Sequence, residues 1–153
     1  MNETVYTVNT PADFSVVIDD VLRAAQKMSN GAALIALVGD LGAGKTTFTQ
    51  QLAAQLGVAE TVVSPTFGIL KKYDVPEHPH FDTLFHIDAY RIEHISEAGP
   101  LRLDELFLTP RTLVCLEWPE QIAGILPAVK IQVQLEITEN ESRKVTITLP
   151  KTQ

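Results

Sequence analysis

The chemistry of this chain centres on Lys45 and Thr46, which close the run Gly39-Asp40-Leu41-Gly42-Ala43-Gly44-Lys45-Thr46. That run fits G-x-x-x-x-G-K-[ST], the phosphate-binding loop. The three glycines let the backbone turn tightly enough for its N–H groups to face an anion. A helix that begins at the end of the loop adds the partial positive charge of its N-terminus. The spacing therefore predicts that the loop Gly39 to Thr46 cradles the phosphates of a nucleotide. Lys45 reaches the β- and γ-phosphates, and the hydroxyl of Thr46 binds Mg²⁺.

A nucleotide site of this kind needs a carboxylate at the end of a neighbouring strand, beside the metal and its waters. Two segments offer one. Leu84-Phe85-His86-Ile87 runs into Asp88, and Leu113-Val114-Cys115-Leu116 runs into Glu117. The pattern does not choose between them. Thr66 follows a β-branched run and a Ser-Pro step, where its hydroxyl is placed to sense a γ-phosphate as in GTPase switch loops. A plain turn residue is the other reading of Thr66. Trp118, next to Glu117, reads as a core aromatic rather than a ligand contact. His78, His80, His86 and His94 have no cysteine partners and match no zinc spacing, so they read as surface-loop histidines.

The elements that must position these groups are legible as periodicity. Ala33 to Val38 is a continuous apolar run, expected to be a strand buried on both faces. Thr46 to Leu56 reads as a helix that stops at Gly57. Upstream, Thr4 to Val8 is β-like. Thr10-Pro11-Ala12-Asp13 has the composition of a helix start, followed by Phe14, Val17, Ile18, Val21, Leu22 and Ala25 at helical spacing. The Thr10 turn lies one helix upstream of the loop, which makes Thr10 a candidate contact to the base, with ordinary capping as its other reading. Phe67 to Tyr73 and Thr83 to Ile87 read as strands. Ser96 to Phe107 reads as a helix broken near Gly99-Pro100, and Pro119 to Ala123 as a short helix. Ile131, Val133, Leu135 and Ile137, then Val145, Ile147 and Leu149, alternate with polar residues as a hairpin with one wet face. The expected fold is α/β, a three-layer arrangement of the P-loop NTPase kind. Its mixed sheet has a parallel core and an antiparallel C-terminal hairpin, in a single domain over residues 1–153.

Composition narrows the function. The chain has 153 residues, 45% hydrophobic and 20% charged, which is a globular balance. Twelve basic and nineteen acidic residues give a formal charge of −7, so unaided binding to a phosphate backbone is not expected. The single cysteine, Cys115, allows no internal disulfide and suits a reducing cytoplasm. No apolar stretch approaches membrane-spanning length, and MNETVYTVNT does not read as a signal peptide.

No N-K-x-D loop for guanine is present, so adenine is preferred. Arg91, Arg102 and Arg111 do not cluster into the lid of a small-molecule kinase. A small ATPase switch acting on a partner therefore leads. A kinase for a small acceptor and a nucleotide-gated binding module without required hydrolysis are the alternatives.

Four stretches together resemble the bacterial TsaE family: GDLGAGKTT at 39–47, SPTF at 64–67, HIDAYR at 86–91 and LEWPE at 116–120. The resemblance implies a P-loop ATPase needed to make threonylcarbamoyladenosine in tRNAs that read A-starting codons. It implies work with TsaB and TsaD, TsaC supplying the threonylcarbamoyl adenylate. ATP hydrolysis would reset the TsaB–TsaD assembly between turnovers, and tRNA would be met through those partners. Carried onto this chain, Asp40 to Thr47 hold the phosphates of ATP, and Thr46 and Glu117 hold Mg²⁺. Thr66 is the switch-like threonine, and Asp88 positions the attacking water. Slow hydrolysis alone, raised by the partner complex, is the implied activity.

Overall fold

The computed structural model describes residues 2–28, 31–63 and 69–150. At its centre is β2 (Ala33–Val38), and its side chains explain the layering. Successive residues of a strand point to opposite faces. Ala33, Ile35 and Leu37 join a core cluster on one face, and Leu34 joins the cluster on the other. Strand β5 (Thr112–Glu117) does the same, with Leu113 and Cys115 on the first face and Val114 and Leu116 on the second. Both strands are unbroken apolar runs because both faces are covered.

Seven strands form one sheet in the order β1-β7-β6-β2-β5-β4-β3. The remaining strands are β1 (Asn2–Val8), β3 (Leu70–Asp74), β4 (Thr83–Asp88), β6 (Ile131–Ile137) and β7 (Arg143–Leu149). Strands β4, β5, β2 and β6 run parallel, while β3, β7 and β1 add antiparallel edges. Exposed Lys71 and Lys72 on the β3 edge discourage pairing with another chain.

Helices α1 (Phe14–Ala25) and α2 (Lys45–Gln55) cover the first face. Phe14 and Phe48 meet edge to face at 5.7 Å and join the two helices. The second face is covered by short pieces. They are a 3₁₀ segment Ile95–Leu101, α3 (Leu103–Phe107) and a 3₁₀ segment Pro119–Ile125. The break expected near Gly99-Pro100 is thus realised as a 3₁₀ turn. It is separated from α3 by Arg102 in left-handed backbone. Among the described residues, no helix is long and apolar enough to cross a membrane.

The sheet follows the expected plan, parallel core and C-terminal hairpin included. The strand expected at Phe67 to Tyr73 is observed as Leu70–Asp74, and its first two positions lie outside the described residues. The helix expected from Thr46 begins one residue earlier, at Lys45.

Candidate nucleotide site

Parallel pairing brings the C-terminal ends of β2, β5 and β4 side by side, which is where ligands sit in open α/β sheets. The register sets Leu37 opposite Glu117 and Glu117 opposite Asp88. The phosphate-binding loop leaves β2 at the same end and enters α2 at Lys45. Leu41, Gly42, Gly44, Lys45, Thr46 and Thr47 line one opening of about 250 Å³ together with Asp88, Tyr90, Glu117 and Trp118. A second cleft of about 560 Å³ flanks the loop towards β6, and Asp40, Ala43 and Trp118 border it.

Two glycines explain the loop's course. Gly44 caps α2 in left-handed backbone (φ 110°), a conformation that side chains disfavour. At Gly39 the constraint is space, because a Cβ there would lie 2.6 Å from the carbonyl oxygen of Leu135 on β6. The outer side of the loop is held by Arg143, at the start of β7. Its Nε donates to the Ala43 carbonyl at 2.9 Å and its Nη2 to the Gly42 carbonyl at 3.3 Å. Its Nη1 donates to the Glu141 carbonyl at 2.8 Å.

Lys45 is 5% exposed. Its Nζ donates to the Gly39 carbonyl at 2.5 Å and sits 3.6 Å from the centre of the Trp118 ring. Burial pushes its pKa down, and the carboxylates of Glu117, Asp88, Glu120 and Asp40 partly oppose that. A cation held out of water, with only a carbonyl and a ring face against it, is ready to exchange those contacts for phosphate oxygens. Among the described residues it is the one cation lining the smaller opening.

Glu117 is 4% exposed and His86 is fully buried. The Glu117 Oε2 accepts from Thr46 Oγ1 at 3.3 Å and lies 2.6 Å from His86 Nε2. The second contact places the imidazole hydrogen on Nε2, because a carboxylate only accepts. Asp88 is half-buried in the same opening, and its Oδ1 accepts from the Tyr90 backbone N–H at 3.0 Å. A Mg²⁺ ion fits this donor set. All its members are oxygens, and cis ligands of an octahedral Mg²⁺ lie about 2.9 Å apart, close to the 3.3 Å between Thr46 and Glu117. Thr46 and Glu117 could hold it together; among the described residues no hydrogen bond joins Thr46 to Asp88.

The Thr10 turn lies where the sequence placed it. The 3₁₀ segment Pro11–Asp13 packs against α2. Asp13 accepts from the backbone N–H groups of Asn9 and Thr10 at 3.0 Å, and those two bonds hold its carboxyl below the usual range. Capping is therefore present at Thr10, and among the described residues no hydrogen bond joins its side chain to the loop. Thr66 lies outside the described residues.

Two sequence readings are corrected. His86 is not a surface histidine. It shares the α2-covered face of β4 with Leu84, two residues away in an apolar strand, and that parity was the available signal. Trp118 is not simply core. It adopts left-handed backbone (φ 59°) ahead of Pro119, and its ring carries Lys45 and packs on Tyr90 at 5.0 Å. Arg143 was missed altogether. It opens a strand whose inward residues alone gave a pattern. Among the described residues, no three His, Cys, Asp or Glu side chains converge as a metal-holding group.

Residues 16–145 match the family model described as threonylcarbamoyl adenosine biosynthesis protein TsaE. The tRNA threonylcarbamoyladenosine biosynthesis protein TsaE of Bacillus subtilis is 42% identical over 116 residues, 75% of this chain and 68% of that protein. Its counterpart in Rickettsia bellii is 36% identical over 116 residues, 75% of this chain and 76% of the relative. The crystal structure of Bacillus subtilis YdiB superposes with a TM-score of 0.71 at 27% identity, covering 97% of this chain and 86% of that one. The family model spans most of the chain and these relatives are 36% to 42% identical to it, so the protein belongs to the TsaE family.

Proposed function

We propose that this chain binds and hydrolyses Mg·ATP in the biosynthesis of tRNA threonylcarbamoyladenosine, acting on a TsaB–TsaD complex. One observation carries the reading. Lys45, Thr46, Asp88 and Glu117, from three separate segments, line one opening beside the phosphate-binding loop. Family membership supplies the pathway.

Hydrolysis of a phosphoanhydride needs in-line placement of water and neutralisation of charge, with little covalent help. The loop amides and the start of α2 receive the phosphates. Lys45 leaves the Trp118 ring and the Gly39 carbonyl for the β- and γ-phosphate oxygens. Thr46 and Glu117 would hold Mg²⁺, which would supply charge neutralisation on the phosphates when bound. Asp88, held by the Tyr90 N–H, orients the attacking water. Thr66 acts as the γ-phosphate sensor. Arg143 is already committed to loop and hairpin carbonyls, so it is not a free finger for the transition state. In this reading hydrolysis by the protein alone is slow, and the partner complex raises it. The excess of acidic residues agrees with tRNA being met through partners.

Reconstitution tests the reading. TsaB, TsaD, TsaC, tRNA and ATP are combined with and without this protein and scored for modified tRNA over many turnovers. Sustained modification only in its presence, lost with Lys45→Ala, is the expected result. Equal modification without it would refute the pathway role. Hydrolysis as fast alone as with the complex would refute activation by partners.

A further inference from the structure

We infer that His86 is the positioning residue of Glu117, holding that carboxylate in the orientation from which it meets Mg²⁺. This rests on the reading of Glu117 as a metal ligand given above.

The placement of His86 is costly. It sits mid-strand on the α2-covered face of the sheet with no exposed surface. Its register partner is buried Cys115, and Leu84 precedes it on the same face. An apolar side chain would satisfy that face without loss. A buried imidazole costs free energy unless its polar atoms are paired. Only Nε2 is paired: among the described residues Nδ1 has no hydrogen-bond partner. The single interaction that compensates this residue is the 2.6 Å contact to Glu117 Oε2.

Glu117 needs that contact as much. A carboxylate at 4% exposure depends on donors around it. The two recorded here, Thr46 and His86, both fall on Oε2. Thr46 would give up that bond on turning its hydroxyl to a bound metal. His86 is then the donor that stays, on a strand fixed in register to β5. Carboxylates that bind metal are commonly held by such an outer hydrogen bond. His86 touches neither nucleotide nor metal in this scheme; it acts through Glu117.

The test is the ratio of the affinity for a non-hydrolysable ATP analogue with Mg²⁺ to the affinity without it, measured by calorimetry for intact protein variants. His86→Leu is expected to lower the ratio about tenfold, the usual cost of losing an outer hydrogen bond, while leaving metal-free affinity unchanged. A purely structural role would lower both affinities together and overturn the proposal. His86→Gln, whose amide reaches the Nε2 position, is expected to restore most of the ratio. His86→Asn, whose amide stops near Nδ1, is expected not to. This pair decides the matter if His86→Leu does not fold, and equal ratios for the two would overturn the proposal. Glu117→Ala separates the two levels. If it loses the ratio and His86→Leu keeps it, the role of His86 is refuted. If Glu117→Ala itself keeps the ratio, the metal reading of Glu117 falls, and His86 falls with it.

Discussion

The two flanks of β2 end in opposite chemistry. Towards β5 and β4 the strand ends carry Glu117 and Asp88, two carboxylates opposite one another in register. Towards β6 and β7 the sheet presents the Leu135 carbonyl, packed against Gly39, and the Arg143 guanidinium, spent on loop carbonyls. On the proposed function, the first flank meets a cation and a water. The second is built to hold the loop still. Lys45 stands at the seam, its charge favoured by the surrounding carboxylates and its ammonium bonded to the loop's first carbonyl. The comparison teaches that a phosphate loop needs both a reacting neighbour and a bracing neighbour, and that the two fail differently when altered.

Lys45→Ala removes the group common to both flanks. It should weaken nucleotide binding or turnover on the order of 100-fold, comparable to losing a key charge-stabilising donor, and reconstituted tRNA modification should be abolished. Glu117→Ala strikes the reacting flank alone. The gain in nucleotide affinity on adding Mg²⁺ should shrink roughly 10- to 100-fold, with metal-free binding preserved. Binding unchanged in both conditions would move the metal role to Asp88.

The bracing flank should respond in stability first. Gly39→Ala forces a Cβ against a backbone oxygen at 2.6 Å. It should cost about 2 kcal/mol in denaturant unfolding, typical of overpacking. Arg143→Gln should reduce nucleotide affinity about fivefold, one hydrogen bond's worth, without altering the effect of Mg²⁺. A changed Mg²⁺ effect would show that the flanks are not separable.

Furthest from the site, Tyr6 on β1 donates to Asp20 on α1. Burial, then that bond, raises its pKa from 10.0 to about 12. A phenol held neutral by folding stabilises the protein below its unfolded pKa, and this is lost as pH rises through the folded value. Urea midpoints should therefore fall more steeply between pH 10 and 12 for wild type than for Tyr6→Phe, with nucleotide binding at neutral pH equal in both.

What the sequence disclosed divides along the same line. The loop is contiguous, so Gly39 to Thr46 could be read from spacing. The buried strands β2 and β5 declared themselves as unbroken apolar runs. Both carboxylates were visible as acids after such runs. The pattern alone did not choose between them, because which acid meets Thr46 depends on the register of β4 and β5 against β2. His86 was misread because composition treats histidine as a surface residue, whereas strand parity puts it beneath α2 with Leu84. Arg143 gave no signal, because a brace contacts backbone carbonyls and those leave no trace in sequence. Trp118 read as core, whereas it is half-buried with its ring against Lys45, a placement that depends on the left-handed turn before Pro119.

The most direct test is a crystal structure with a non-hydrolysable ATP analogue and Mg²⁺. The account predicts Lys45 Nζ lifted from the Trp118 ring, about 3 Å from β- and γ-phosphate oxygens, with the metal bound by Thr46 and Glu117 and with His86 still on Glu117. A nucleotide seated elsewhere, or a metal bound without either residue, would contradict it.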